Sequence, residues 1–241
     1  MSIASNVIEE NNKLGTSRTL MQEKLDSQGK TWYNDDLHTL IDRYKCYYVD
    51  PCKADRISLY SSGGYVSSTF NNQGYYELTQ HVDESFGYLN LKDEYFPKEC
   101  VIECECYFGT SQNRNNQLRV GLYYQENDYK GVVGNIYSNG GIDIRFGRAC
   151  GSLDTEYWNE TATSSQKAIS SYVWYKLKII ITKSTVSFEL MNSDGSSMGS
   201  IGCAMKSGVL GDLNKLCIEK CYANGTKMRI RNIKVYDVDY L

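Results

Sequence analysis

Histidine is nearly absent from this chain, with two in 241 residues, and that scarcity leaves little room for imidazole-based catalysis or metal ligation. Long apolar runs are missing as well. No stretch approaches the roughly 18 residues that a membrane-crossing helix needs, so membrane insertion is not expected. The opening MSIASNVIEENNKLG has neither a basic stretch nor a continuous apolar one, and the expectation is a soluble protein made in the cytoplasm. No basic stripe or tail exists either: 26 Lys and Arg are mixed among 29 Asp and Glu for a formal charge of -3, which argues against a nucleic-acid partner. The nine cysteines (46, 52, 100, 104, 106, 150, 203, 217 and 221) are odd in number, lack the spacing of a secreted disulfide framework and form no CxxC pair. Reduced thiols and no metal are therefore expected. What the chain has in excess is tyrosine, 21 of them, a residue suited to half-buried pleated surfaces and to contacts with sugars or proteins.

The first 45 residues read as helical. Ser2 can cap a helix carrying Ile3, Val7 and Leu14 and ending at Gly15; Thr16 or Ser17 can cap a second with Leu20, Met21 and Leu25, ending at Gly29. A third, short helix over about 35–44 places Leu37, Leu40, Ile41 and Tyr44 on one face. These helices are too thinly apolar to fold alone, so they need a partner surface. The seven-residue spacing of Val7, Leu14 and Met21 permits a self-associating bundle, although Gly15 counts against one continuous coiled coil. Residues 1–45 are read as an attachment or oligomerisation segment anchored by Ile3, Val7, Leu14, Met21 and Leu25, and 46–55 as a linker.

From Arg56 the period becomes two. Segments such as VIECECYF, LRVGLYY, GIDIRF, WYKLKIIIT, TVSFEL and KMRIRNIKVY are divided by Gly-, Asn-, Asp- and Ser-rich turns, and about a dozen strands without helical interludes imply a two-sheet antiparallel sandwich over 56–241. In IECECYF, Ile102, Cys104, Cys106 and Phe108 share a core face, with Glu103, Glu105 and Tyr107 on a wet one. By the same parity, Leu118, Val120 and Leu122 oppose Arg119 and Tyr123, and Leu177, Ile179 and Ile181 oppose Lys176 and Lys178, so several strands should present polar faces to water. Asn192-Ser193-Asp194-Gly195 supplies the turn of a hairpin built on Val186, Phe188 and Leu190. Two stretches, 109–116 and 147–171, show no alternation and read as long loops of functional interest.

Few constellations here carry chemistry. Cys100, Cys104 and Cys106 have core parity and read as buried thiols, while His81-Val82-Asp83-Glu84 reads as a solvated loop. Gly63-Gly64 and Gly140-Gly141 read as hairpin turns, since no helix follows to offer amides to a phosphate. The better ligand surface combines aromatics with planar polar groups, because sugar rings stack on aromatic faces and their hydroxyls need hydrogen-bonding partners. Tyr157, Trp158 and Asn159 in the long loop, Tyr123 and Tyr129 around QEND, and Asp143 and Arg145 pointing outward from GIDIRF are the candidates for contact with a glycan or a partner.

The order WYKLKIIITKSTVSFELMNSDGSSMGSI followed by KMRIRNIKVYDVDYL resembles the concanavalin A-like lectin/glucanase jelly rolls over residues 56–241. That resemblance implies a fold and leaves the ligand open, since the fold hosts sugar-binding, enzymatic and structural modules. Its glycosidases carry a Glu-x-Asp-x-x-Glu strand that holds nucleophile and acid at the separation a retaining mechanism needs. This sequence has none, and Glu103 with Glu105 reads as a solvated acidic pair, so no catalytic residues and no cofactor are expected. A second resemblance lies in MSIASNVIEENNKLGTSRTLMQEKLDSQGKTWYNDDLHTLIDRY, which is similar to the N-terminal segments of tailed-bacteriophage and prophage structural proteins. It implies a non-enzymatic virion component, in capsid decoration, tail or fibre, attached to other virion proteins by its N-terminal segment, assembled as a homo-oligomer and presenting the sandwich to host glycans. The alternative is a cytosolic or released carbohydrate-binding protein or a degenerate glycoside hydrolase, with the helices as decoration.

Overall fold

The computed structural model describes residues 46–50, 52, 58–61, 66–81, 86–90, 99–109, 116–123, 130–148, 159–163, 169–206, 215–221, 225–236 and 238. Two compact units divide the chain, Met1–Tyr47 and Tyr48–Leu241. The helices expected over 1–45, with Ile3, Val7, Leu14, Met21 and Leu25, lie outside the described residues.

Everything described at length is strand. In chain order these are β1 (Cys46–Asp50), β2 (Ser58–Ser61), β3 (Val66–Asn71), β4 (Tyr75–Gln80), β5 (Phe86–Asn90), β6 (Cys100–Phe108), β7 (Gln117–Tyr123), β8 (Lys130–Tyr137), β9 (Ile142–Arg148), β10 (Asn159–Thr163), β11 (Trp174–Ile181), β12 (Thr185–Asn192), β13 (Ser197–Ala204), β14 (Lys215–Cys221) and β15 (Lys227–Tyr236). They pair into two antiparallel sheets. One runs β13-β12-β11-β6-β15-β4-β3, with β1 also paired to β15, and the other runs β10-β9-β8-β7-β14-β5-β2. The core is the layer between them. Ile102, Phe108, Ile179 and Phe188 from the first sheet meet Leu118, Val120, Ile144 and Phe146 from the second, all essentially out of water, and the period-two pattern of the sequence delivers each one inward.

The turns follow from local chemistry. After β12, Gly195 adopts φ 89° and its N–H bonds Asn192 O at 2.9 Å, while Asp194 Oδ1 accepts from Ser196 N at 2.8 Å. Gly140, at φ 84°, closes the β8–β9 hairpin, whose register matches Ile136 to Ile142. In β15 the pairing with β6 slips between Arg231 and Lys234, and Asn232 takes a left-handed φ of 51° at the slip. That bulge brings both Arg231 Nε, at 2.7 Å, and Asn232 Nδ2, at 2.9 Å, onto the Glu105 carboxylate.

The structure departs from the sequence expectations in four places. Strand β1 falls inside the stretch read as a linker, so pairing begins before the alternation at Arg56 announces it. Residues 159–163, inside the long stretch 147–171, form β10 against β9, although polar NETAT gives no apolar alternation to signal a strand. Cys217 is disulfide-bonded, in contrast to the expectation of reduced thiols throughout; Cys52, Cys100, Cys104, Cys106, Cys203 and Cys221 are thiols outside any disulfide. The fourth is β7, where no wet face exists: all seven residues are buried, Arg119 at 3% and Tyr123 at 0% exposure included.

Candidate functional site

The fully buried β7 belongs to the centre of the seven-stranded sheet, and its outer side chains face away from the core. Register alone aligns them with their neighbours. One continuous row crosses four neighbouring strands: Glu219 on β14, Arg119 on β7, Asn135 on β8 and Asp143 on β9. Beside it runs a row of smaller residues, in which Cys217, Gly121 and Val133 lead to Arg145. Gly121 is obligatory there, because a Cβ at that position would sit 2.0 Å from Val132 O.

The polar row is held by charge. Arg119 Nη1 donates to Glu219 Oε2 at 3.1 Å, and both side chains are almost wholly out of water. Asp143 is 1% exposed and collects donors: Arg145 Nε at 3.0 Å, Arg145 Nη2 at 2.9 Å, Tyr137 O–H at 2.6 Å and Asn135 Nδ2 at 3.4 Å. Arg145 also donates to the Tyr137 hydroxyl through Nη2 and lies over that ring, 5.9 Å from its centre. Burial alone would depress the Arg145 guanidinium, but the hydrogen bonds and charge of Asp143 outweigh it and raise its pKa above the usual arginine value. Tyr137 and Arg145 are the members with some exposure and mark the open edge of the cluster.

Not every group here is satisfied. Asn135 Oδ1, Gln117 Oε1 and both polar atoms of the Asn116 side chain are buried and have no hydrogen-bond partner among the described residues. Each such group costs about 1–3 kcal/mol, an expense that a fold does not carry without reason.

The sequence candidates divide accordingly. Tyr123, Asp143 and Arg145 come together on this sheet, Asp143 and Arg145 on adjoining rows of the polar cluster; the outward orientation of the latter two is present, but the face they share is enclosed instead of wet. Asn159 occupies the first position of β10, opposite Phe146. Tyr129, Tyr157 and Trp158 lie outside the described residues. Sequence reading missed Asn135, Tyr137 and Glu219, and it placed Arg119 on a wet face, because a glutamate or asparagine in a short strand gives no sign of what it will stand beside until register is known.

A second polar face was only half seen. On the outer side of the eight-stranded sheet, Trp174 pairs with Tyr107 and Tyr107 with Arg229, while Lys176 pairs with Glu105 and Glu105 with Arg231. Arg229 Cζ lies between two rings, 4.7 Å from Tyr75 and 4.8 Å from Tyr107, and Arg231 Cζ stacks 3.9 Å over Trp174. Glu105 and Glu103 are therefore tied down rather than simply solvated: Glu105 holds Arg231 and Asn232, and Glu103 accepts from Tyr236 and pairs with Lys178 at 3.6 Å. Parity in the sequence puts Trp174 with Lys176 and Lys178, and that was the available signal.

No protein-family model and no curated protein matches the chain. Solved structures do. They include the carbohydrate-binding module CBM66 from Bacillus subtilis (11% identity, TM-score 0.52, covering 76% of this chain and 98% of that one). The CBM2 module of the Lactobacillus casei BL23 phage J-1 evolved Dit also matches (12%, 0.55, 82% and 98%), as does the potassium-bound carbohydrate recognition domain of Emp46p (14%, 0.57, 79% and 97%). At these identities the shared property is the fold, a two-sheet antiparallel β-sandwich of the jelly-roll type.

Proposed function

We propose that the sandwich is a non-catalytic carbohydrate-binding module whose ligand is read at the exposed edge of the polar cluster on the seven-stranded sheet, by Arg145 and Tyr137. The observation that carries this reading is the enclosed row Glu219, Arg119, Asn135 and Asp143, with Arg145 and Tyr137 at its open edge and unpaired amide oxygens on Asn135 and Gln117. Sugar hydroxyls donate and accept at once, and they match amide, guanidinium and carboxylate groups held rigid by one another. Carbohydrate-binding modules and a carbohydrate recognition domain of the same fold support the same class. Hydrolysis is not part of the proposal: Glu103 and Glu105 are engaged by Lys178, Arg231, Asn232 and Tyr236, which suits a structural pair better than a nucleophile and an acid.

The setting we propose is a virion, with residues 1–45 attaching a homo-oligomer to the particle and the sandwich displayed towards host glycans. A phage Dit module of the same fold supports it. Weak single sites would then act through avidity.

A glycan array tests the binding claim. Wild type should retain a defined set of glycans, and Arg145→Lys and Tyr137→Phe should lose that set by tenfold or more while keeping the wild-type thermal midpoint within a few degrees. A blank array, or variants that bind as wild type does, overturns the reading.

A further inference from the structure

We propose a second saccharide site, selective for acidic sugars, on the outer face of the eight-stranded sheet, formed by the stacked pair Arg229 and Arg231 with the exposed ring of Tyr172. It deepens the carbohydrate reading given above but uses the opposite face of the sandwich.

Within the described residues, each of the two guanidiniums makes its hydrogen bond through Nε alone, Arg229 to Glu77 Oε2 at 2.8 Å and Arg231 to Glu105 Oε2 at 2.7 Å. The η N–H groups of both remain for another acceptor. Both side chains are about a third exposed, at 31% and 34%, so those donors can be reached. Being two apart on one strand, the arginines stand about 7 Å from each other on the same face. Aromatic rings fix their orientation: Tyr75 and Tyr107 flank Arg229, and Trp174 backs Arg231. A guanidinium immobilised in this way loses little rotamer entropy on binding and presents a planar fork, the geometry that recognises a carboxylate or sulfate in bidentate fashion.

Charge points to the same class of ligand. The outward side chains of β4, β6, β11, β12 and β15 include six cations (Lys176, Lys178, Lys227, Arg229, Arg231 and Lys234) against the four carboxylates Glu77, Glu103, Glu105 and Glu189, although the whole chain carries -3. An excess of positive charge on one face of an acidic protein favours an anionic partner.

The sugar class follows from Tyr172. It is 65% exposed, the most exposed large apolar side chain among the described residues, and it sits edge-on to Tyr107 with ring centres 6.1 Å apart. Its backbone is in the left-handed region at φ 68°, a conformation that a bulky residue rarely adopts, and its N–H bonds Phe108 O at 2.8 Å. A strained, tethered and uncovered ring packed edge-on against Tyr107, the ring that flanks Arg229, suits a ligand with a flat hydrophobic face and a charged substituent. A uronate or sulfated pyranose has both.

The test titrates wild-type protein with a hexuronate oligosaccharide, its neutral methyl ester, a sulfated oligosaccharide, inorganic sulfate and an acidic peptide. Expected is binding of the uronate or sulfated oligosaccharide at least tenfold tighter than the ester, weakened by salt. Arg231→Lys, Arg229→Lys and Tyr172→Ala should each lose at least tenfold on the acidic sugar, with circular dichroism and thermal midpoint retained, while Lys183→Ala, an exposed cation in the β11–β12 turn, should shift that affinity less than twofold. Equal affinity for acid and ester, wild-type binding by Arg231→Lys and Arg229→Lys, or an equal response to free sulfate or to the acidic peptide overturns the proposal. Loss of acidic-sugar binding in Arg145→Lys alone overturns it too while leaving the carbohydrate reading intact, whereas no binding of any sugar sinks both.

Discussion

Lys220 is the group whose replacement gives the most informative stability measurement. Its side chain has the inward parity of Leu216 and Ile218, lies opposite Leu118, is fully out of water, and donates to Cys221 O at 3.3 Å. Burial strips the ammonium of hydration and lowers its pKa from 10.5 to about 7, with the Cys221 thiol opposing slightly. Since the folded value is the lower one, the unfolded chain binds more protons between pH 7 and 10.5, and the burden on the native state is full below pH 7 and fades as pH rises to 10.5. That difference corresponds to roughly 5 kcal/mol at most. Replacing Lys220 by Met keeps an unbranched stem and removes the charge. Urea unfolding at pH 6 and pH 9 should then find Lys220→Met more stable than wild type at both, with the gap shrinking by roughly 2–3 kcal/mol at the higher pH, since each unit above 7 relieves about 1.4 kcal/mol. A variant that is less stable at pH 6, or a gap that ignores pH, would refute the reasoning.

Two further expectations rest on the core and the rows described above. Gly121→Ala should cost on the order of 3 kcal/mol or more, because its Cβ meets backbone at 2.0 Å, while Gly202→Ala, whose nearest atoms are 3.5 and 3.8 Å away, should stay within about 0.5 kcal/mol; chemical denaturation of the pair decides it. A thiol reagent applied to native protein should modify Cys203 first and leave Cys104, Cys106 and Cys221 untouched on the same timescale, because burial pushes those three thiols far up; rapid labelling of Cys104 or Cys106, read by peptide mass spectrometry, would contradict the packing.

Alternation made the sandwich legible, since inward and outward positions on β6, β11 and β12 can be assigned from the sequence one residue at a time. The hairpin after β12 was legible for a different reason: Asn192-Ser193-Asp194-Gly195 encodes its own turn in adjacent residues. What alternation cannot carry is the fate of an outward face. Glu103 and Arg119 look alike in sequence, each a charged residue between apolar ones, yet Glu103 stays a third exposed and Arg119 is enclosed with Glu219, one hundred residues away. The candidate site is a register phenomenon of the same sort, because Glu219, Arg119, Asn135 and Asp143 come from four strands and align only once pairing is known. Polar β10 and the bulge at Asn232 escaped for lack of any apolar pattern to announce them.

Nuclear magnetic resonance with a bound sugar tests the central claim most directly. Isotope-labelled protein would be titrated with the strongest neutral glycan from the array, and backbone and side-chain shifts mapped onto both sheets. The account expects saturable perturbations that are largest at the exposed Tyr137 and Arg145 and extend to Asp143, Asn135 and Arg119 behind them. Shifts that bypass these five residues, or none at a glycan concentration that saturates the array, would contradict it.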